Sequence, residues 1–373
     1  KVLWKLNTEK DTYKMDKIKT LLYFLLLNNL IQCQQMNKTP EFHVEISSPS
    51  SKYRIEPIFD KIKTLEEISA GLPYGGTSGD WGQSGSRWTE QHGTPIGADI
   101  TYYSPYESIY YRLNIDFPAE KIKGYMERAY ANGEALPEFH KEPLQKYKRS
   151  GRYEEFAYPV NPYNSFSDLV FGFAPKGMVV VWLRFGAGVQ IELGRYQAEV
   201  ITNKQEIIGI KEKYLKSYRL SQERFEEEKN ELAIPNASPQ EWDNYRTRYN
   251  YAAVFTSENR GLRLFRMWMD FFNGEEEVFY RPWINEVSYE KRAIPKELNF
   301  TWETGKDQQY TGYAYFNWKK TNDVFKKIGN QSKLEFKIAS DNSSFEVSLD
   351  NHPVPTDSIR VFKTNDEFND SYK

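Results

Sequence analysis

The 373-residue sequence predicts a strand-rich α+β fold made of two related antiparallel β-sheet modules, each with a packed helix. Three observations lead there. The stretch Pro95–Met126 reads as strand, short turn, strand and a helix opened by Pro118, and a degenerate copy runs over Pro295–Ile328. Pro95 pairs with Pro295, Ile100 with Phe300, Thr101 with Thr301, Tyr102 with Trp302 and Tyr110 with Tyr310, all at an offset of 200. The register then slips by two, so that Ile122 meets Val324 and Met126 meets Ile328. The aromatic content of 16% suits half-buried strand faces, and also a surface that recognises something. The length suits two domains, each large enough to bury a core.

The amino terminus reads as an address. Residues 1–14 lack apolar periodicity and read as translated upstream of Met15. From Met15, the basic Lys17 and Lys19 precede the apolar Thr20–Ile31, which is too short to span a membrane but fits a secretory signal segment. Cys33, the single cysteine, follows at once. The segment Leu30-Ile31-Gln32-Cys33 is similar to the lipobox of bacterial lipoproteins, although Gln32 stands where a small residue is usual. That resemblance implies residues 15–33 as signal peptide, lipid attachment at Cys33, and a chain held to the membrane by its anchor. Residues 34–53, polar and rich in Ser and Pro, then form a tether.

The first module is expected over 54–203. Gly71–Gly97 is a glycine-dense loop whose Trp81 and Trp88 fold back on the module; its spacing matches neither phosphate-binding fingerprint nor a serine-hydrolase elbow. Ile100–Tyr102 and Ile109–Phe117 alternate as strands, with Leu113, Ile115 and Phe117 on one face. Pro118 suits a first helical turn, Ile122, Tyr125, Met126 and Ala129 give the apolar stripe, and Asn132-Gly133 ends it. Leu136–Pro162 is a polar, basic surface excursion. Phe166–Ile201 reads as an antiparallel meander: a strand over Leu169–Phe173, a turn, the apolar Met178–Leu183 as an interior strand, and Val189–Val200 bulged at Gly194.

Lys204–Asn236 is charge-dense, a solvated helix or a linker. The second module occupies 237–373. Ser238-Pro239-Gln240-Glu241 opens a short helix as a capping box, carrying Trp242 and Tyr245. Asn273-Gly274 joins Gly261–Phe272 to Glu275–Tyr280 as a hairpin, and Leu334–Ala339 with Phe345–Leu349 forms another.

Chemistry is sparsely signalled. The net charge of −2 gives no electrostatic footprint for nucleic acid. The four histidines are dispersed, no cysteine–histidine cluster or calcium loop occurs, and no cofactor motif is present. Glu107, Asp116 and Glu192 lie near strand ends, where solvation or ion pairing is the expected role. Arg184, Glu192 and Arg195 flank the hairpin closing the meander and are expected to face one another across it. The candidate binding residues are Trp81, Trp88, Arg184, Glu192, Arg195 and Tyr196.

The proline-led aromatic strand, the Phe117-Pro118 helix start, and GFAPKGMVVVWL followed by IELGRYQ together resemble the bacterial lipoproteins grouped as domain of unknown function 2931. The first module carries the whole pattern; the second keeps the strand pair and helix but lacks an APKGMVVVWL equivalent. The resemblance assigns no catalytic residue. It implies an envelope lipoprotein on the outer membrane, and, because some relatives lie beside type VI secretion lipase effectors, an immunity protein. The expected function is a non-enzymatic lipoprotein that binds a protein partner, a toxin or an envelope component. The alternatives are an envelope hydrolase whose carboxylates the fold brings together, and a glycan-binding component served by the tryptophans.

Overall fold

The computed structural model describes residues 41–73, 80–83, 88–122, 166–185, 189–280, 283–305, 307–329 and 331–364. The expected signal segment, Cys33, the expected basic excursion and the expected helix stripe beyond Ile122 lie outside them.

Nine strands build the first half: β1 (Glu41–Ser47), β2 (Glu56–Thr64), β3 (Trp88–His92), β4 (Pro95–Ser104), β5 (Ile109–Asp116), β6 (Phe166–Ala174), β7 (Met178–Phe185), β8 (Val189–Gln197) and β9 (Glu199–Val200). They pair as two layers, β2-β4-β5-β9 and β3-β1-β6-β7-β8. The inward residues of both layers form one core, in which Tyr102 of β4 meets Phe173 of β6 at 4.9 Å. Helices α1 (Lys204–Tyr218) and α2 (Gln222–Leu232) follow, N-capped by the side chains of Asn203 and Ser221. The charge-dense stretch is therefore helical. Its buried Ile210, Tyr214 and Phe225 cover Tyr103 and Tyr110 on the outer face of β4 and β5.

After the short α3 (Gln240–Tyr245), the second half repeats the plan with β10 (Tyr249–Ser257), β11 (Arg263–Phe271), β12 (Glu276–Tyr280), β13 (Glu290–Arg292), β14 (Pro295–Glu303), β15 (Gln309–Phe316), α4 (Trp318–Ile328), β16 (Ser332–Ile338), β17 (Phe345–Leu349), β18 (His352–Pro353) and β19 (Thr356–Thr364). The run β11-β14-β15-β19 matches β2-β4-β5-β9, and β13-β10-β16-β17-β18 matches β3-β1-β6-β7-β8. Even the hands of the ladders agree: β1 runs parallel to β6 and antiparallel to β3, as β10 does to β16 and β13. Strand β12 is additional. It pairs with β11 and meets β8 by a single rung, Glu276 opposite Gln190, which joins layers of the two halves into a ten-stranded sheet.

The duplication thus holds, with four corrections. Residues 41–53 are not tether: β1 enters the sheet and buries Phe42, Val44 and Ile46. The sheets are mixed, since β1–β6 and β10–β16 are parallel. The second half does contain the partner of the APKGMVVVWL hairpin, namely β16–β17, in which Leu334, Phe336, Val347 and Leu349 supply the buried alternation. Tyr310 corresponds to Tyr111 and not to Tyr110. Tyr102 faces Tyr111 across its ladder, whereas Trp302 faces Tyr310. These pairs stack alike, at 5.3 Å and 5.6 Å with 23° between planes in each. The second turn is one residue shorter, and a one-residue slip moves a strand's side chains to the opposite face. Tyr110 accordingly points outward to α1 and α2.

Of the helices that follow these strand pairs, the first is described over 119–122, where Ile122 is fully buried. In α4, capped by Asn317, Phe325 is fully buried, with Val324 and Ile328 packed against the same core.

Candidate functional site

The two halves meet around two glycines. Gly82 has φ of +90° and Gly274 of +84°, and a Cβ on Gly82 would stand 2.6 Å from Gly274 Cα. Such close backbone approach at positive φ needs glycine on both sides. Gln190, fully buried on β8, donates from Nε2 to the carbonyls of Gly82 (2.7 Å) and Gly274 (2.5 Å). Trp182 Nε1 donates to the Asn273 carbonyl at 3.2 Å. The glycine-dense loop of the first half is thereby clamped to the Asn-Gly hairpin of the second.

A groove opens beside this clamp. Its first lobe, about 350 Å³, lies among Trp81, Trp242, Tyr245, Asp270, Glu276 and Lys296. A second, about 480 Å³, lies among Asn244, Asn317, Trp318 and Asp357, and shares Glu241, Tyr245 and Phe272 with the first. Aromatic contacts run along it: Trp81 to Trp242 at 6.3 Å, Tyr245 to Phe272 at 5.1 Å, and Tyr245 to Trp318 at 5.6 Å. The indole N–H of Trp81 and that of Trp318 are buried without an acceptor among the described residues.

Helix α3 holds one wall, and β8 holds α3. Val181 opposes Gly194 and Trp182 opposes Glu192, which leaves Leu193 as an extra residue. The bulge expected at Gly194 is therefore present. It brings Glu192 and Arg195, three apart, onto the face shared by Val180 and Trp182. There Arg195 makes a two-point contact with Asp243, and Glu192 pairs with Arg246 at 2.7 Å. Glu192 and Arg195 thus anchor α3 and do not face each other across the hairpin. Arg184 is held by Glu45 at 2.8 Å and by Gln190, beneath the clamp. Tyr196 packs against Phe117 at 6.2 Å, and burial raises its pKa. Of the six residues singled out in the sequence, Trp81 lines the groove. Arg184, Glu192 and Arg195 brace its walls, and the half-buried Tyr196 packs against the core of the first half. The side chain of Trp88 lies outside what is described; its backbone begins β3. The capping box is made differently from expectation: Ser238 Oγ accepts from Gln240 N–H, and Glu241 accepts from the Tyr245 hydroxyl.

Two groove residues carried no sequence motif. Asp270 and Glu276 stand directly opposite each other in the β11–β12 ladder, so their side chains share a face. Desolvation raises the Asp270 carboxyl from its ordinary 3.8 to about 6; Glu297 adds to this, while the Trp268 indole, donating to Oδ1 at 2.8 Å, and Lys296 oppose it. Burial likewise raises Glu276, helped by Asp270 and opposed by Arg184 and Gln83. Their positions either side of the Asn-Gly turn were a usable signal, because hairpin register alone sets them opposite.

A stability consequence follows. The folded state holds a proton on Asp270 where the unfolded state releases it. That contribution is complete below the ordinary carboxyl pKa and is lost as pH rises through about 6. Asp270→Asn keeps the acceptor for Trp268 but cannot ionise. It is expected to be more stable than the parent at roughly pH 8, by about 1–3 kcal/mol, with the difference closing towards about pH 4. Denaturant melts at the two pH values measure it, and an equal difference at both would remove Asp270 as its source.

No curated protein and no solved structure matches the chain. A family model described as "Protein of unknown function (DUF2931)" matches residues 31–239, which take in the first half, α1 and α2 and end just before α3. The match spans more than half of the 373 residues, and the chain belongs to the DUF2931 family of proteins of unknown function.

Proposed function

We propose that the chain is a non-enzymatic bacterial envelope lipoprotein that holds a protein partner in the groove between its halves. The observation that carries this reading is the aromatic floor of the groove, from Trp81 and Trp242 through Tyr245 and Phe272 to Trp318. Trp and Tyr in desolvated pockets are the residue types that anchor protein interfaces. The carboxylates in the groove serve as hydrogen-bond acceptors for Gln83, Trp268 and Tyr245, an arrangement suited to fixing a shape. The lipobox-like segment ending at Cys33 supports a lipid anchor on the outer membrane. The family resemblance gives the partner a class, a lipase effector delivered by type VI secretion, whose activity the groove would block.

The expected result is that the product of the adjacent gene co-purifies with this chain. Phe272→Ala, placed where the two lobes meet, should weaken the complex at least tenfold, on the scale of about 1–3 kcal/mol for an interface anchor. Absence of binding to every neighbouring product, or a complex indifferent to Phe272→Ala, would overturn the reading. The anchor is tested separately: Cys33→Ser should release the protein from the membrane fraction and abolish labelling by a lipid precursor.

A further inference from the structure

Independently of what the groove holds, we infer that β19 joins two copies of this chain: its outer edge pairs antiparallel with β19 of a second copy, about a twofold axis at Val361. An edge strand presents unpaired N–H and C=O groups and invites another strand unless it is short, interrupted or covered. Among the described residues the three sheets leave six edges. Strands β9 and β18 are two residues long, β13 three and β3 five. Strand β2 is nine long, but Pro57 and two register shifts interrupt it, and Ala70 bridges its outer side at Ile62. Strand β19 is also nine long, holds no proline, and among the described residues pairs on one side only, with β15. None of its residues is buried, and Phe362 is 53% exposed.

The side chains select the mate. The ladder to β15 is bulged at Asp357, since Tyr315 opposes Ser358 and Phe316 opposes Thr356. The regular edge is therefore residues 358–364, with Val361 in the middle. A twofold axis normal to the sheet keeps each face continuous and sets even-numbered residues opposite even-numbered ones. Centred on Val361, it places Arg360 opposite Phe362, Ser358 opposite Thr364 and Ile359 opposite Lys363, with no like charges facing. Centred on Arg360 it would oppose two arginines, and centred on Ile359 it would cross the bulge. Arg360 already lies over the Tyr315 ring at 5.5 Å, and Phe362 meets Tyr313 edge-on at 6.0 Å. Phe362 of the second copy gives the guanidinium a further ring, twice per dimer. On the inner face Ile359 and Val361 pack against the core of the second half, so pairing carries the margin of that core across the axis. A strand of another sequence would have to bring its own mates for two cations. The chain's own strand meets Arg360 with a ring and Lys363 with an aliphatic side chain along which its stem can lie.

The test uses the full-length chain carrying Cys33→Ser, so that its single cysteine cannot link copies. Sedimentation over a dilution series should show a reversible monomer–dimer equilibrium, and the amides of β19 should exchange more slowly in the dimer. Phe362→Arg sets arginine against arginine at both crossings and should weaken dimerisation roughly tenfold or more. Arg360→Glu/Phe362→Glu sets glutamate against glutamate and should do the same. Both variants change exposed positions and should melt close to the parent. Mixed in equal amounts they should form a heterodimer, because every crossing then joins arginine to glutamate. A parent that stays monomeric up to its solubility limit would overturn the inference. So would either variant dimerising alone at parental strength, a mixture that stays monomeric, or a dimer whose β19 amides exchange as fast as the monomer's. Protection of β19 that arises only on adding the adjacent-gene product would assign the edge to a strand of that partner, and would overturn it too.

Discussion

Val180→Asp should abolish accumulation of soluble, folded protein. Val180 is fully buried on β7, between Gly172 of β6 and Arg195 of β8, and its side chain lies among Met178, Trp182, Trp81 and Trp242. A carboxylate there would lose its hydration among rings and aliphatic groups, and the cation on that face, Arg195, is already held by Asp243, so the change would cost several kcal/mol even after relaxation. That is a large share of the roughly 5–15 kcal/mol by which a domain is stable. Val180→Ala separates charge from volume. It removes two carbons, should cost about 2 kcal/mol, and should leave a cooperative transition at lower temperature. Soluble Val180→Asp with the parent's melting temperature would show that the site takes up water, and that β7 is not the interior strand it is described as.

Arg292→Ala should destabilise the second half by about 3–5 kcal/mol, the usual consequence of breaking a buried ion pair from one side. The Arg292 side chain is 2% exposed. Its Nε donates to Glu277 on β12 at 2.7 Å, and its Nη1 donates to the carbonyls of Tyr251 on β10 and Ser288, each at 2.8 Å. One guanidinium thus ties a strand of one layer to strands of the other. Removing it strands two carbonyls and leaves Glu277, whose carboxyl burial already raises, without its cation. Adding Glu277→Gln to Arg292→Ala should restore part of the loss, and the coupling in that double-mutant cycle measures the pair itself. A loss under about 1 kcal/mol, or none restored, would place the role of Arg292 in surface solvation.

The sequence was most legible where periodicity is strong and the elements are long. MVVVWL reads as an interior strand, Asn273-Gly274 as a hairpin turn, and the offset between Pro95 and Pro295 exposes the duplication. Legibility failed where local signals were short or ambiguous. EFHVEIS is seven residues between polar flanks, and its place is set by β6, over a hundred residues away, and by β3, about fifty away. A fixed offset also hides a turn shortened by one residue, so Tyr310 was matched to the wrong tyrosine. In the site, Trp81 stood out as a tryptophan among glycines, but Trp242 and Tyr245 looked like ordinary helix residues. What makes them a groove is α3 held by Glu192 and Arg195, and those pairings depend on a bulge that brings residues three apart to one face.

The position of β1 bears on how the molecule resists a pull. Residues before Glu41 lead directly into β1, which is gripped on both sides, by five rungs to β6 and five to β3. A load applied along the strand from that end must slide β1 past both neighbours at once. The rungs are then strained together and fail together, unlike a hairpin that unzips one rung at a time. The rate of rupture under load, like that of other forced unfolding, is set by the unfolding barrier and not by equilibrium stability. A pull on β1 from its amino-terminal end is therefore resisted by ten rungs at once, so the fold gives way there only when both ladders fail together.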